Sequence, residues 1–347
     1  SEMAKNQSQF CDGFYELKNS RGMSVEFSSY GALIGKICVL DRKGRSIPVT
    51  LSLPKVSDYQ RQVFYLGAMM GRYAGRIPEG NFTLGGKNYE IIKNNGRHTL
   101  HGGDGFDKRY WEMDTFEHED GRGVRFEIFS SDGDSGFPGN LRVVVFYKLF
   151  NESNKLEIRI QAQCDQDTQI NLAQHSYFNL NGIHSKIDNH FFTIGSNCHS
   201  ETDSELMPLG GWVEFSRQMV NERGNFEYSP NNQIWKEIPF EMDHSFLLNR
   251  PCEVNARAWS PLSGIELNVK TTQPTLHFYT GNFLPDGEEY FNGCGISKKS
   301  GFCFETMRVP NTKEFKDYPT TVLRKDELFD EITSFEFGIV DSYDSFL

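Results

Sequence analysis

The stretch Leu141-Arg-Val-Val-Val-Phe-Tyr147, then Asn151-Glu-Ser-Asn154, then Leu156-Glu-Ile-Arg-Ile-Gln-Ala162 decides the class of the fold. The second run alternates apolar and polar residues at period two, as a half-buried strand does, and the polar link between the runs makes the pair a hairpin. Working outward, Phe82-Thr-Leu84 and Lys87-Asn-Tyr-Glu-Ile91 flank Gly85-Gly86, whose freedom at positive φ suits a two-residue hairpin turn. Further strand-like runs cover 123–130, 264–271, 273–283, 301–305 and 334–340. Helical periodicity is nearly absent, with its best short candidate near 232–237. Many strands without intervening helices predict sheet packed on sheet, an all-β chain forming a single large antiparallel β-sandwich. Alternate side chains of a strand point to one side, so catalytic residues are expected on one open sheet face.

Neither repeats nor a Pro/Gly-rich linker divide the 347 residues, which read as one domain over 1–347 with a flexible segment at 1–10. The chain is 37% hydrophobic, 24% charged and 14% aromatic, with 29 Phe, a composition of folded, strand-rich protein. Lys plus Arg number 36 against 47 Asp plus Glu, a formal charge of −11 that argues against nucleic acid as a partner. The apolar runs fall short of the roughly 18 residues that span a bilayer, so no membrane partner is expected. Seven cysteines lie far apart without a CxxC, which reads as free thiols rather than a disulfide framework or a cysteine zinc site. The polar start lacks an apolar signal core, and the reading is cytoplasmic.

Four polar constellations stand out. In Leu100-His-Gly-Gly103 two glycines let the backbone pass close to a ligand and leave His101 prominent. His98 and His101 have HxxH spacing, but no Glu or Asp completes a metalloprotease pattern, and no metal is expected. His175 sits in the aromatic run Gln174-His-Ser-Tyr-Phe-Asn-Leu180, where a packed core histidine is the plain alternative to a catalytic one; Ser176 lacks a GxSxG context. Asp243-His244 sets a carboxylate beside an imidazole, and Glu305 is a single carboxylate in the apolar strand Phe302-Cys-Phe-Glu-Thr-Met307, facing either solvent or a lined pocket.

Together with Gly71-Arg-Tyr-Ala-Gly-Arg-Ile77, Trp111, Asp132-Gly-Asp134, Phe137-Pro-Gly139 and Tyr279-Thr-Gly-Asn-Phe-Leu284, these pieces occur in an order that resembles the aldose 1-epimerases (galactose mutarotases), from about residue 20 to 340. The resemblance implies a galactose mutarotase-like supersandwich that interconverts α and β anomers of free aldoses, a small-molecule partner, and no cofactor. It further implies Glu305 as base, His175 as acid, and Arg76, His101 and Asp243 as binders of sugar hydroxyls. Chemistry agrees independently, because mutarotation needs a base on the anomeric hydroxyl and an acid on the ring oxygen.

The chain departs from the family pattern at Gly75, Ala173-Gln174, His277 and Met307, where Asn, Thr-Asn, Gln and Gln are common. His277, in place of the Gln amide, is a candidate sugar contact or a packed side chain. These departures bear on sugar preference and turnover more than on reaction type. Gly102-Gly103 replaces the run usual in relatives acting on glucose 6-phosphate, so an unphosphorylated sugar is expected. Two other readings are a catalytically weak carbohydrate-binding homologue on the same fold, and a glycosidase using Asp243 and Glu305 as its carboxylate pair.

Overall fold

The decisive hairpin forms as its pattern requires. Strand Leu141–Phe150 pairs antiparallel with Lys155–Cys164, from Leu141 opposite Cys164 to Leu149 opposite Leu156. Leu156, Ile158, Ile160 and Ala162 are buried, while Glu157, Arg159 and Gln161 lie on the half-buried face. The glycine hairpin forms too: Asn81–Leu84 turns directly into Lys87–Glu90, with Gly85 and Gly86 at φ +58° and +78°. The computed structural model describes residues 13–249, 254–287 and 289–346. The segment expected to be flexible at 1–10, together with Cys11 and Cys252, lies outside the described residues.

Around the hairpin builds a nine-stranded antiparallel sheet running from Glu112–His118 at one edge to Phe226–Tyr228 at the other. A four-stranded sheet comprises Tyr15–Lys18, Ser24–Ser28, Leu33–Leu40 and Ser46–Pro48. A five-stranded sheet runs in the order Pro208–Glu214, Cys198–Thr202, Asp243–Leu247, Thr275–Tyr279, Cys303–Met307. The main core draws on all three. Phe246, Phe278 and Phe304 of the five-stranded sheet meet Phe192 and Phe226 of the nine-stranded one at ring separations of 5.2 Å (Phe226–Phe246), 5.0 Å (Phe192–Phe278) and 6.1 Å (Phe192–Phe304). Phe27 of the four-stranded sheet stacks on Tyr147 at 5.4 Å. Truncating one such buried Phe to Ala costs about 3–5 kcal/mol.

Strand boundaries differ from the sequence reading mainly at 273–283, where only Thr275–Tyr279 is strand. From Thr280 the chain turns, its hydroxyl binding Asn282 Oδ1 at 2.8 Å. A helical turn forms at Ile234–Glu237, within the expected span, and a six-residue helix at Val56–Arg61 is too short to show a 3.6-residue pattern. Among the described residues, no helix is long and apolar enough to cross a membrane.

Candidate active site

Strand register assembles the polar residues. Ser245 lies opposite His277, and His277 opposite Glu305, across three adjacent strands. Directly opposed side chains share a face, and residues two apart on a strand return to it. Asp243, Ser245, His277, Tyr279, Glu305 and Met307 therefore project together, and all line one cavity of about 290 Å³. The residues between them, Phe246, Phe278 and Phe304, point the other way into the core, and this anchors the face. His244 turns with them: its ring lies 4.7 Å from that of His199, so the Asp243-His244 neighbours in sequence do not form a catalytic couple.

Loops complete the opposite wall. Arg76 pairs with Leu100 in a short two-stranded ladder, which carries Arg76 and His101 into the cavity side by side. The glycines after His101 serve the chain itself rather than a ligand. A Cβ on Gly102 would stand 2.3 Å from the Gly71 carbonyl oxygen, and one on Gly103 would stand 2.8 Å from that of Ile92. His175 is seated between rings, stacked on Tyr177 at 4.9 Å and on Tyr65 at 6.0 Å. Gln174 braces the backbone around it, donating to the Gly67 carbonyl at 2.7 Å and accepting from the Ser176 N–H at 2.8 Å.

The cavity holds two histidine–carboxylate pairs. His175 Nε2 stands 3.7 Å from Glu305 Oε1, with both residues buried. That Glu305 oxygen is fully buried and has no hydrogen-bond partner. His277 Nε2, by contrast, contacts Asp243 Oδ1 at 2.5 Å, while His277 Nδ1 contacts the Ser245 hydroxyl at 2.8 Å and Arg76 Nη2 lies 3.4 Å from Asp243 Oδ2. His277 thus lines the pocket with both ring nitrogens engaged by the protein.

The charges follow from these partners. Burial drives the Asp243 carboxyl up, but the His277 hydrogen bond and the His277 and Arg76 charges outweigh it and hold it at about 2. For His277, burial pulls down and Asp243 reverses the outcome, leaving it above its ordinary 6.5. Burial dominates at the other two histidines: His101 lies well below its ordinary value, and His175 is lowered against the opposing Glu305 charge. Burial likewise pushes the Tyr177 hydroxyl and the Cys303 thiol well up.

Donor atoms of His101, His175 and Glu305 all lie within 4.8 Å of one another, the one such trio among the described residues. Its geometry is poor for a metal. His101 Nδ1 accepts the Gly75 N–H at 2.9 Å, so the neutral ring carries its proton on Nε2 and offers no lone pair there. His98 is pinned the same way, Nδ1 accepting the Glu79 N–H at 2.8 Å. The HxxH spacing therefore yields two N–H donors instead of two ligands.

Of the sequence candidates, Glu305, His175, Arg76, His101, Asp243 and His277 all meet in this cavity. Arg72, conspicuous in the same run as Arg76, does not. It is 2% exposed, and its guanidinium bonds the carbonyls of Ser130, Ser131, Pro138 and Gly139 at 2.7–3.0 Å, which explains why that turn accompanies it. Sequence reasoning missed Ser245 and Cys303, each two residues from a candidate and so on its face; Cys303 Sγ lies 3.5 Å from His175 Nδ1. Tyr65, held at φ +62° in the pocket wall, carried no local signal.

Known proteins share this arrangement of chain. The family model described as aldose 1-epimerase matches residues 13–336. The bovine (Bos taurus) galactose mutarotase is 37% identical over 321 residues, covering 91% of this chain and 92% of that protein. The Escherichia coli K12 aldose 1-epimerase is 32% identical, covering 92% of this chain and 94% of its own. Among solved structures, an aldose epimerase homologue from C. elegans superposes with a TM-score of 0.84 at 25% identity, covering 95% of this chain and 100% of that one. With the matched residues spanning all three sheets and both walls of the cavity, the chain belongs to the aldose 1-epimerase family.

Proposed function

We propose that this protein interconverts the α and β anomers of free aldohexoses such as galactose and glucose, with Glu305 as base and His175 as acid. Family membership makes it an aldose epimerase, an isomerase acting on a small sugar. The observation that carries the residue roles is a buried carboxylate oxygen without a hydrogen-bond partner, 3.7 Å from an imidazole nitrogen, in a sugar-sized cavity. Glu305 takes the proton of the C1 hydroxyl, the bond from C1 to the ring oxygen breaks, and His175 protonates that oxygen. Rotation about C1–C2 presents the other face of the aldehyde. Closure then returns each proton to its starting group.

Arg76 supplies fixed donors and never gives up its proton, and His101 presents its Nε2–H; both suit sugar hydroxyls. Asp243, as an anion, accepts hydrogen bonds from sugar hydroxyls. Its contacts within the protein count against a glycosidase, whose second carboxylate must be free to attack the sugar or activate water, whereas both Asp243 oxygens are engaged by His277 and Arg76.

Polarimetry of freshly dissolved α-galactose and α-glucose tests the reading, and acceleration of the optical change is expected. Binding without acceleration would leave a carbohydrate-binding protein on the same fold. The activity is also expected to survive dialysis against a chelator. Loss that a divalent ion restores would return His175 and Glu305 to consideration as ligands.

A further inference from the structure

One wall of the cavity comes from a turn outside the sequence motifs described above. Residues 203–207 join strand Cys198–Thr202 to Pro208–Glu214, and Leu206 in this turn lines the cavity beside Pro208. Leu206 sits at φ +67°, left-handed backbone that a branched side chain disfavours. Asp203 holds it there: its Oδ1 accepts the N–H of Glu205 at 2.8 Å and of Met207 at 3.0 Å, and its carbonyl accepts the Leu206 N–H at 3.0 Å.

The turn is also tied across the cavity. Arg97 grips Glu205 at two points, Nη2 to Oε1 at 2.8 Å and Nε to Oε2 at 3.3 Å, and reaches Glu79 at 3.2 Å. His98, 5% exposed, meets Glu205 Oε2 through Nε2. Because His98 Nδ1 accepts from Glu79, Nε2 carries the hydrogen and donates to the carboxylate. These two residues lead directly into Thr99–Leu100, the strand that carries His101 and pairs with Arg76. Asn95, on the same loop, faces the cavity as Leu206 does. The Arg97 side chain is 62% exposed and salt screens its charge, so the buried His98 is the firmer anchor.

We propose that Glu205 is a positioning residue for sugar binding: it straps the 203–207 turn to Arg97 and His98, so that Leu206 becomes a fixed wall that restricts which aldoses fit. The proposal rests on the aldose 1-epimerase reading for its substrate and on this geometry for its mechanism. Glu205 touches no reacting atom, so its effect falls on KM and leaves kcat.

Glu205→Ala should raise KM for galactose about 5–10-fold with kcat within about twofold of wild type, while Glu205→Gln, which still accepts from His98, shifts it less. Arg97→Ala should raise KM as well, and the Arg97→Ala/Glu205→Ala double variant should fall short of the product of the singles, since both cut one strap. Leu206→Gly removes the side chain and relieves the left-handed strain, so it should fold yet narrow the spread of kcat/KM across a panel of hexoses and pentoses. An unchanged KM in folded Glu205→Ala, or fully multiplicative effects in the double variant, would overturn the strap. Calorimetric Kd for galactose in wild type and Glu205→Ala reads the strap without catalysis. A wild-type protein that binds galactose but fails to anomerise any aldose therefore sinks the activity and leaves the strap judged by its own Kd ratio.

Discussion

Asp243 and His277 meet at 2.5 Å with Arg76 and Ser245 closing the remaining polar atoms, whereas Glu305 and His175 stand 3.7 Å apart with one carboxylate oxygen bonded to nothing. Both pairs lie in one cavity, and His277 and Glu305 are direct cross-strand neighbours. The difference is one of proton ownership. In the tight pair the two groups satisfy each other: the carboxyl is held at about 2, and the Asp243 charge and hydrogen bond raise the imidazole above its ordinary value. In the open pair burial lowers His175, and one Glu305 oxygen is left free to accept a hydrogen bond. Under the proposed function, proton transfer falls to the open pair and sugar binding to the tight one.

The largest expected effect breaks the open pair. Glu305→Gln keeps size and polarity but removes the base, and His175→Asn removes the titrating acid. Each should lower kcat at least about a hundredfold, the low end of what general acid–base assistance supplies. The double variant should fall short of the product of the singles, because both groups serve one event. Steady-state polarimetry with folding checked by circular dichroism decides it, and near-wild-type turnover in Glu305→Gln would remove that residue from the mechanism.

Loosening the tight pair should do something different. Arg76→Met or Asp243→Asn is expected to raise KM about tenfold while changing kcat far less, since these groups hold hydroxyls without transferring protons. A collapse of kcat at constant KM would merge the two pairs into one catalytic unit. His277→Gln, which restores an amide, should have a smaller effect, about two- to threefold on KM, because its first partner is Asp243 rather than the sugar.

A pH experiment sharpens the contrast further. Asp243 has a folded pKa below its ordinary 3.8, so its stabilisation is present above that value and lost as pH falls toward about 2. His277 has a folded pKa above 6.5, so its contribution is complete below 6.5 and lost as pH rises through the raised value. The difference in Tm between wild type and Asp243→Asn should therefore be greatest between these limits and shrink on both sides. The smallest effect is spectroscopic: in Glu305→Gln the His175 pKa should fall further by NMR titration, as the opposing carboxylate is gone, while that of His277 should move less.

How much of this was legible beforehand depends on how local its cause is. The hairpin at 141–164 and the glycine turn at 85–86 depend on neighbours in sequence, and both formed where the pattern put them. The face shared by Asp243, His277 and Glu305 also follows from period-two strands once their pairing is known, but the pairing joins residues 24 to 36 positions apart. Arg72 and Arg76 are four residues apart and read alike, yet one braces carbonyls in the interior and the other lines the cavity with Glu305 and His175. The glycines of Leu100-His-Gly-Gly103 were legible as a need for close approach, while what they approach, the Gly71 and Ile92 carbonyls, was not.

From the residues alone came the all-β class, the order of motifs and four polar candidates, His101, His175, Asp243 and Glu305, because strand periodicity and residue chemistry are written along the chain; Arg76 and His277 came from the resemblance to the aldose 1-epimerases. Tertiary structure decided which histidine is clamped and which is open, which ring nitrogen carries hydrogen, and that a glutamate at 205 ties one wall to the other. Those properties depend on hydrogen-bond partners 19 to 167 residues away, as between His98 and Glu79 or Arg76 and Asp243. Only folding brings such partners within 3.5 Å, and the proton on a buried imidazole goes where its partner allows.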